Sequence, residues 1–98
     1  MAKSASPFTH GRSEVWESPA LTTRIVATKK RLGLHLRGLR KGAGWTQEAA
    51  SEVIGIHPKH LQRIERGVGN ATVATLVAIT TAYKVTMASL FEEPAAET

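Results

Sequence analysis

The sequence predicts an all-α fold of five helices behind a flexible N-terminal arm, and three observations carry that prediction. Apolar residues recur three and four positions apart, as a helical face requires. Threonines able to cap helices, Thr46, Thr72 and Thr86, stand just ahead of successive apolar runs. Glycine and proline at Gly42, Gly44, Gly55, Pro58 and Gly67 fall where one helix would end or the next begin. Residues 1–20 hold Ser4, Ser6, Pro7, Gly11, Ser13, Ser18 and Pro19 with no sustained period and read as the arm, with Val15 and Trp16 its one large apolar pair. Residues 21–92 form the domain, and 93–98 read as a frayed tail.

The first helix is traced by Leu21, Ile25, Leu32, Leu36 and Leu39 to Lys41. Gly33 and Gly38 each weaken it by roughly 1 kcal/mol, so its start falls at Thr22 or only near Lys30. Thr46 is expected to cap the second helix, whose apolar face is Ala50, Val53 and Ile54. Small Ser51 beside that face suits a close crossing, and Gly55 suits a left-handed exit. Ile56 offers an anchor in the turn, His57 a cap, and Pro58 a first helical residue that has no N–H to leave unsatisfied. The third helix runs over about residues 58–66, burying Leu61 and Ile64 and turning Lys59, His60, Gln62, Arg63 and Arg66 outward. Two short helices joined by so tight a turn make a helix-turn-helix. Thr72 then caps a fourth helix presenting Val73, Leu76, Val77, Ile79, Thr80 and Tyr83 to the core or a partner. Thr86 caps a short fifth, with Met87, Leu90 and Phe91.

From Leu32 to Glu92 these residues resemble the lambda-repressor-like, Xre-type helix-turn-helix DNA-binding regulators. The resemblance is carried by Thr46-Gln47-Glu48, Gly55, Leu61, the run Arg63-Ile64-Glu65-Arg66-Gly67, then Asn70, Thr72, Thr75-Leu76 and Leu90-Phe91. It departs at Ala50, where the family usually has leucine, and at Ser51, where it usually has alanine. An unfilled gap at Ala50 would cost on the order of 2–5 kcal/mol, and Trp45 is expected to fill it.

Composition agrees. The 98 residues make one domain, with a helical core near the small end of what folds alone. There is no cysteine, hence no disulfide framework and no thiolate metal site, which fits a reducing cytoplasm. No apolar run approaches a membrane span and no hydrophobic signal region opens the chain. The net charge of +5 is uneven: residues 1–30 carry +3, residues 31–66 carry +4 and residues 67–98 carry −2. A basic face on the first two thirds fits a polyanion, and the acidic end fits a separate partner surface.

Helices of this kind enter the major groove N-terminus first, so His57, Pro58, Lys59, Gln62 and Arg63 are the candidate base contacts. Arg63 suits guanine O6 and N7, Gln62 suits adenine, and Lys59 can reach guanine or a phosphate. The candidate phosphate contacts are Arg37, Gln47, His60, Arg66, Asn70 and Thr72. For Gln47, at a helix N-terminus that attracts anions, the resemblance implies a backbone anchor. Asn70 and Thr72 also suit a turn and a cap. The resemblance further implies a structural ion pair between Arg40 and Glu65.

His57 and His60 lie three apart, a spacing that can hold a metal, but no third ligand stands beside them. No catalytic triad or carboxylate pair stands out either, so neither catalysis nor a cofactor is expected. The expected function is binding of a palindromic double-stranded DNA operator as a homodimer that regulates transcription, in a bacterium or phage. Tyr83, Val85, Met87, Leu90 and Phe91 are the expected dimer surface. Lys3 and Arg12 of the arm suit either the minor groove or the neighbouring subunit. A protein partner, a toxin or polymerase, is the further expectation. The alternatives are an antitoxin that masks a toxin, and a protein-interaction module that has kept the fold.

Overall fold

The computed structural model describes residues 18–92, all of whose regular structure is helical. The expectations for the arm before Ser18, including Lys3, Arg12, Val15 and Trp16, and for the tail after Glu92 lie outside the described residues. Four α-helices follow in order: α1 (Pro19–Gly42), α2 (Gln47–Ile54), α3 (Pro58–Glu65) and α4 (Val73–Tyr83), closed by a 3₁₀ turn at Ala88–Phe91.

The first helix starts earlier than its apolar period suggested. Ser18 caps it, its hydroxyl accepting from the Leu21 N–H at 3.5 Å, and Pro19 takes the first helical position. The Ser-Pro pair is therefore a start signal rather than part of the arm, because proline surrenders no helical hydrogen bond there. Glycine at 33 has a function in packing. Gly33 is buried where α1 crosses the end of α3, and a Cβ there would lie 2.5 Å from the Glu65 carbonyl oxygen and 2.7 Å from that of Ile64. At Gly38 a Cβ would meet nothing within 4 Å.

Local signals set the remaining ends. Thr46 Oγ1 accepts from the Ala49 N–H at 3.0 Å, and Gly55 leaves α2 at φ 92°. The Gly55 and Ile56 N–H groups return to the Ser51 carbonyl, satisfying an orphan acceptor. His57 caps α3 through Nδ1, which accepts from the Lys59 N–H at 3.1 Å, and Pro58 follows at its first position. Thr72 Oγ1 accepts from the Thr75 N–H at 3.1 Å to start α4.

The core comprises Leu32, Leu36, Ala50, Ile54, Leu61, Ile64, Ile79 and Leu90. Helix α1 packs on α3 and on the 3₁₀ turn, while α2 packs on α3 and α4. Trp45 and Tyr83 lie half-buried against the core that holds Ala50, their ring centroids 5.5 Å apart.

Two expectations change. Val53 is 54% exposed, because α2, only eight residues long, buries Ala50, Ser51 and Ile54 and turns Val53 to solvent. Of the α4 residues expected to face the core or a partner, Ile79 alone is fully buried, while Val73 and Val77 are exposed. The expected fifth helix is a single 3₁₀ turn of four residues, with Thr86 Oγ1 accepting from the Ser89 N–H and the Leu90 N–H returning only three residues to Met87. Its i to i+3 pattern suits one short turn that delivers Leu90 to the core.

Candidate nucleic-acid interface

Helix α3 divides cleanly between inside and outside. Leu61, Ile64 and Glu65 are buried, while Lys59, Gln62, Arg63 and Arg66 are exposed. His57 is exposed at the tip of the helix, with Pro58 half-buried behind it. The expected base-contacting residues thus share the free end and outer face of one short helix.

A buried carboxylate fixes that helix to the others. The Arg40 guanidinium grips Glu65 with two parallel bonds, Nε to Oε2 at 2.8 Å and Nη2 to Oε1 at 3.1 Å. Its Nη1 donates to the Trp45 carbonyl at 3.0 Å. The side chains are 11% and 2% exposed, so little solvent screens them. The hydrogen bond to Glu65 holds Arg40 above the ordinary guanidinium value despite burial. A buried pair with both oxygens satisfied fixes register, as the fork geometry of arginine allows.

Gln47 joins the same group: its amide Nε2 donates to Glu65 Oε1 at 3.1 Å. It is half-buried at the first position of α2. An amide nitrogen carries two hydrogens, so the bond to Glu65 leaves one.

His60 lies differently from a free phosphate ligand. Its Nε2 is 3.0 Å from the Asn70 carbonyl and must donate to it, so the imidazole ties α3 to the loop that enters α4. Asn70 is exposed, and the Thr72 hydroxyl serves as cap. Arg37 is exposed on α1 and shares an open groove with Lys30, Leu34, Glu65 and Arg66.

Sequence reasoning missed Lys30, because nothing near it shows that α1 crosses the end of α3. The signal was Gly33, a residue costly within a helix unless another backbone comes close.

The expected partner surface needs one correction. Leu90 is fully buried in the monomer and belongs to the core. Tyr83, Val85 and Phe91 are half-buried against that core, and Met87 is 36% exposed. The Tyr83 hydroxyl is buried without a hydrogen-bond partner among the described residues. Burial, then the Glu65 charge, raises its pKa, with Arg40 opposing.

Among the described residues no three of His, Asp and Glu gather as a metal would require, and no helix is long and apolar enough to cross a membrane. His57 Nδ1 and His60 Nε2 are both engaged by backbone groups.

Comparison with known proteins agrees with this architecture. The HTH_3 family, described as helix-turn-helix, matches residues 36–90. No curated protein sequence matches the chain significantly. Among solved structures, the chain is similar to the restriction-modification controller protein C.AhdI from Aeromonas hydrophila. That match has 28% identity and a TM-score of 0.64, and covers 66% of this chain and 98% of that one. An HTH_3 family transcriptional regulator from Vibrio cholerae matches at 30% identity and a TM-score of 0.64, over 68% of this chain and 38% of that longer one. The clp gene regulator ClgR from Corynebacterium glutamicum matches at 25% identity and a TM-score of 0.61, over 64% and 67%. The chain belongs to the HTH_3 helix-turn-helix family, the Xre-type, lambda-repressor-like group of DNA-binding transcriptional regulators that its residues from Leu32 to Glu92 resemble.

Proposed function

We propose that this protein binds a palindromic double-stranded DNA operator as a homodimer and regulates transcription from it, with α3 in the major groove. The observation that carries the reading is the division of α3. Its outer face offers Lys59, Gln62 and Arg63 to base edges and no acid, while Glu65, its one carboxylate, is buried against Arg40. Arg63 pairs with guanine, Gln62 with adenine, and Lys59 with guanine or a phosphate, with His57 and Pro58 at the tip. Arg37, Gln47, Arg66, Asn70 and Thr72 hold the sugar-phosphate backbone and set the register. His60 contributes chiefly by bracing the Asn70 loop.

One short helix reads few bases, so two copies are needed to read two half-sites about one helical turn apart. The surface for pairing is Met87 with the half-buried Tyr83, Val85 and Phe91. Met87→Glu should yield monomers, and a dimer that persists in sedimentation would exclude this surface. Selection of bound sequences from a random duplex pool tests the whole reading. The expected result is a two-fold site whose preference relaxes at one position per half-site with Arg63→Ala. Recovery of no enriched sequence would overturn it.

A further inference from the structure

Helix α1 reaches well beyond the family module: the HTH_3 match begins at residue 36, whereas α1 starts at Pro19. The added turns carry Arg24, Lys29, Lys30 and Arg31 and no acidic residue. Because Gly33 has no side chain, this part of α1 lies directly on the end of α3. Lys30 there touches the backbone that leaves α3, and a Cβ at Gly67 would sit 3.0 Å from Lys30 Cγ and 3.1 Å from its Cα. Between the two helices runs the open groove, about 350 Å³ in volume, lined by Lys30, Leu34, Arg37, Glu65 and Arg66.

Three exposed cations therefore converge from two helices. Glu65 does not neutralise them, since both its oxygens are taken by Arg40 and Gln47 and its side chain is 2% exposed. Lys30, Arg37 and Arg66 make no ion pair among the described residues. A cleft with cations of one sign concentrates positive potential. Two guanidiniums and an ammonium are the donor set that a phosphodiester takes, the arginines as forks and the lysine as a point charge. The groove also lies at the C-terminal end of α3, away from its tip, the end through which the related recognition helix of homeodomains contacts the DNA backbone.

We propose that this groove is a DNA-phosphate site, in which Lys30 from the helical extension takes a backbone phosphate next to those held by Arg37 and Arg66, flanking the bases read by α3. This rests on the DNA-binding reading above. The extension then lengthens the phosphate footprint without adding base readout.

The test is the salt dependence of the full chain's affinity for its selected operator duplex. Lys30→Gln removes one contact from each subunit of the dimer and should lower the slope of log K against log salt by about 1.8, so that over a fourfold rise in salt the wild type loses about 12-fold more affinity than the variant. Base preference should not change. Lys30→Arg should keep the wild-type slope, as should Arg24→Gln, which removes a cation from the same helix outside the groove. A wild-type slope for Lys30→Gln, or an equal loss for Arg24→Gln, would overturn the groove while leaving the DNA-binding reading intact. Wild-type protein whose duplex affinity ignores salt would overturn both.

Discussion

Alanine at Gly33 and alanine at Gly38 make the same chemical change in the same helix, and the structure assigns them opposite signs. In an open helical position, Gly→Ala gains roughly 1 kcal/mol by restricting the unfolded chain and improving helix propensity. Gly38 is such a position, with nothing within 4 Å of an added Cβ. At Gly33 the new carbon would sit 2.5 Å from the Glu65 carbonyl oxygen and 2.7 Å from that of Ile64. An ordinary carbon-oxygen contact is about 3.3 Å or more, so α1 and α3 must separate by roughly 0.8 Å. The opposing atoms are helix backbone and cannot swing aside. Overpacking costs typically 1–3 kcal/mol, and a rigid neighbour puts this site at the upper end, so Gly33→Ala should be destabilising by about 1–2 kcal/mol net of the helix gain. For a domain this small, each kcal/mol moves the melting temperature by about 4–8 °C. Thermal melts followed by circular dichroism should place Gly38→Ala above the wild type and Gly33→Ala below it. A rise for both would refute the close crossing of α1 over α3.

Other consequences follow from the ion pair, the buried phenol and the α2 cap. Arg40→Leu strands the Glu65 carboxylate with only Gln47 beside it, and should cost roughly 2–4 kcal/mol in chemical denaturation, somewhat less than a fully dry pair because the guanidinium is 11% exposed; a loss below about 0.5 kcal/mol would mean the pair is dispensable. Tyr83→Phe removes a buried hydroxyl with no partner, and should be neutral or stabilising by up to about 1 kcal/mol. Because Tyr83 has a raised pKa in the folded state, its contribution holds below the unfolded value near 10 and is lost as pH rises past it; denaturation above that pH should be less steeply pH-dependent in Tyr83→Phe. Thr46→Ala deletes the α2 cap and should cost about 1 kcal/mol in the same denaturation assay, with Thr46→Ser close to wild type.

The parts legible in the sequence were those decided within a few residues. Thr46, Gly55, Pro58 and Thr72 mark helix ends through capping, left-handed φ and a missing N–H, all of which are local. Leu61 and Ile64 followed from a period that a short, strongly two-faced helix keeps. What escaped was decided by distant contact. Gly33 looked like a flaw in α1 because its reason, the carbonyls of Ile64 and Glu65, lies some thirty residues onward. Leu90 looked available to a partner because an apolar residue near the end of a domain has the same spacing whether it faces in or out. Val53 failed for a related reason: α2 touches the rest along a stripe too narrow for every residue of its apolar period. Ser18-Pro19 was local and could have been read, but the serines and proline before it lent it the look of a loop.

Gln47 and Glu65 show why the scaffold and the residues proposed to face DNA are not separable sets. Glu65 spends Oε2 on Arg40 Nε, and shares Oε1 between Arg40 Nη2 and Gln47 Nε2. One carboxylate therefore orients the end of α3, the last turns of α1 and the first residue of α2 together. If Gln47 anchors the backbone while α3 reads bases, the distance between those two contacts is set by Glu65, and neither can shift without straining bonds in a site where charge is poorly screened. Glu65→Gln isolates this coupling, because it keeps the volume and one acceptor while turning the other into a donor that faces the Arg40 and Gln47 donors. Affinity should fall across all operator variants alike, since backbone register is lost while Arg63, Gln62 and Lys59 still face outward. A selective loss at single base positions would instead mean that Glu65 holds the reading residues themselves rather than the frame that aligns them.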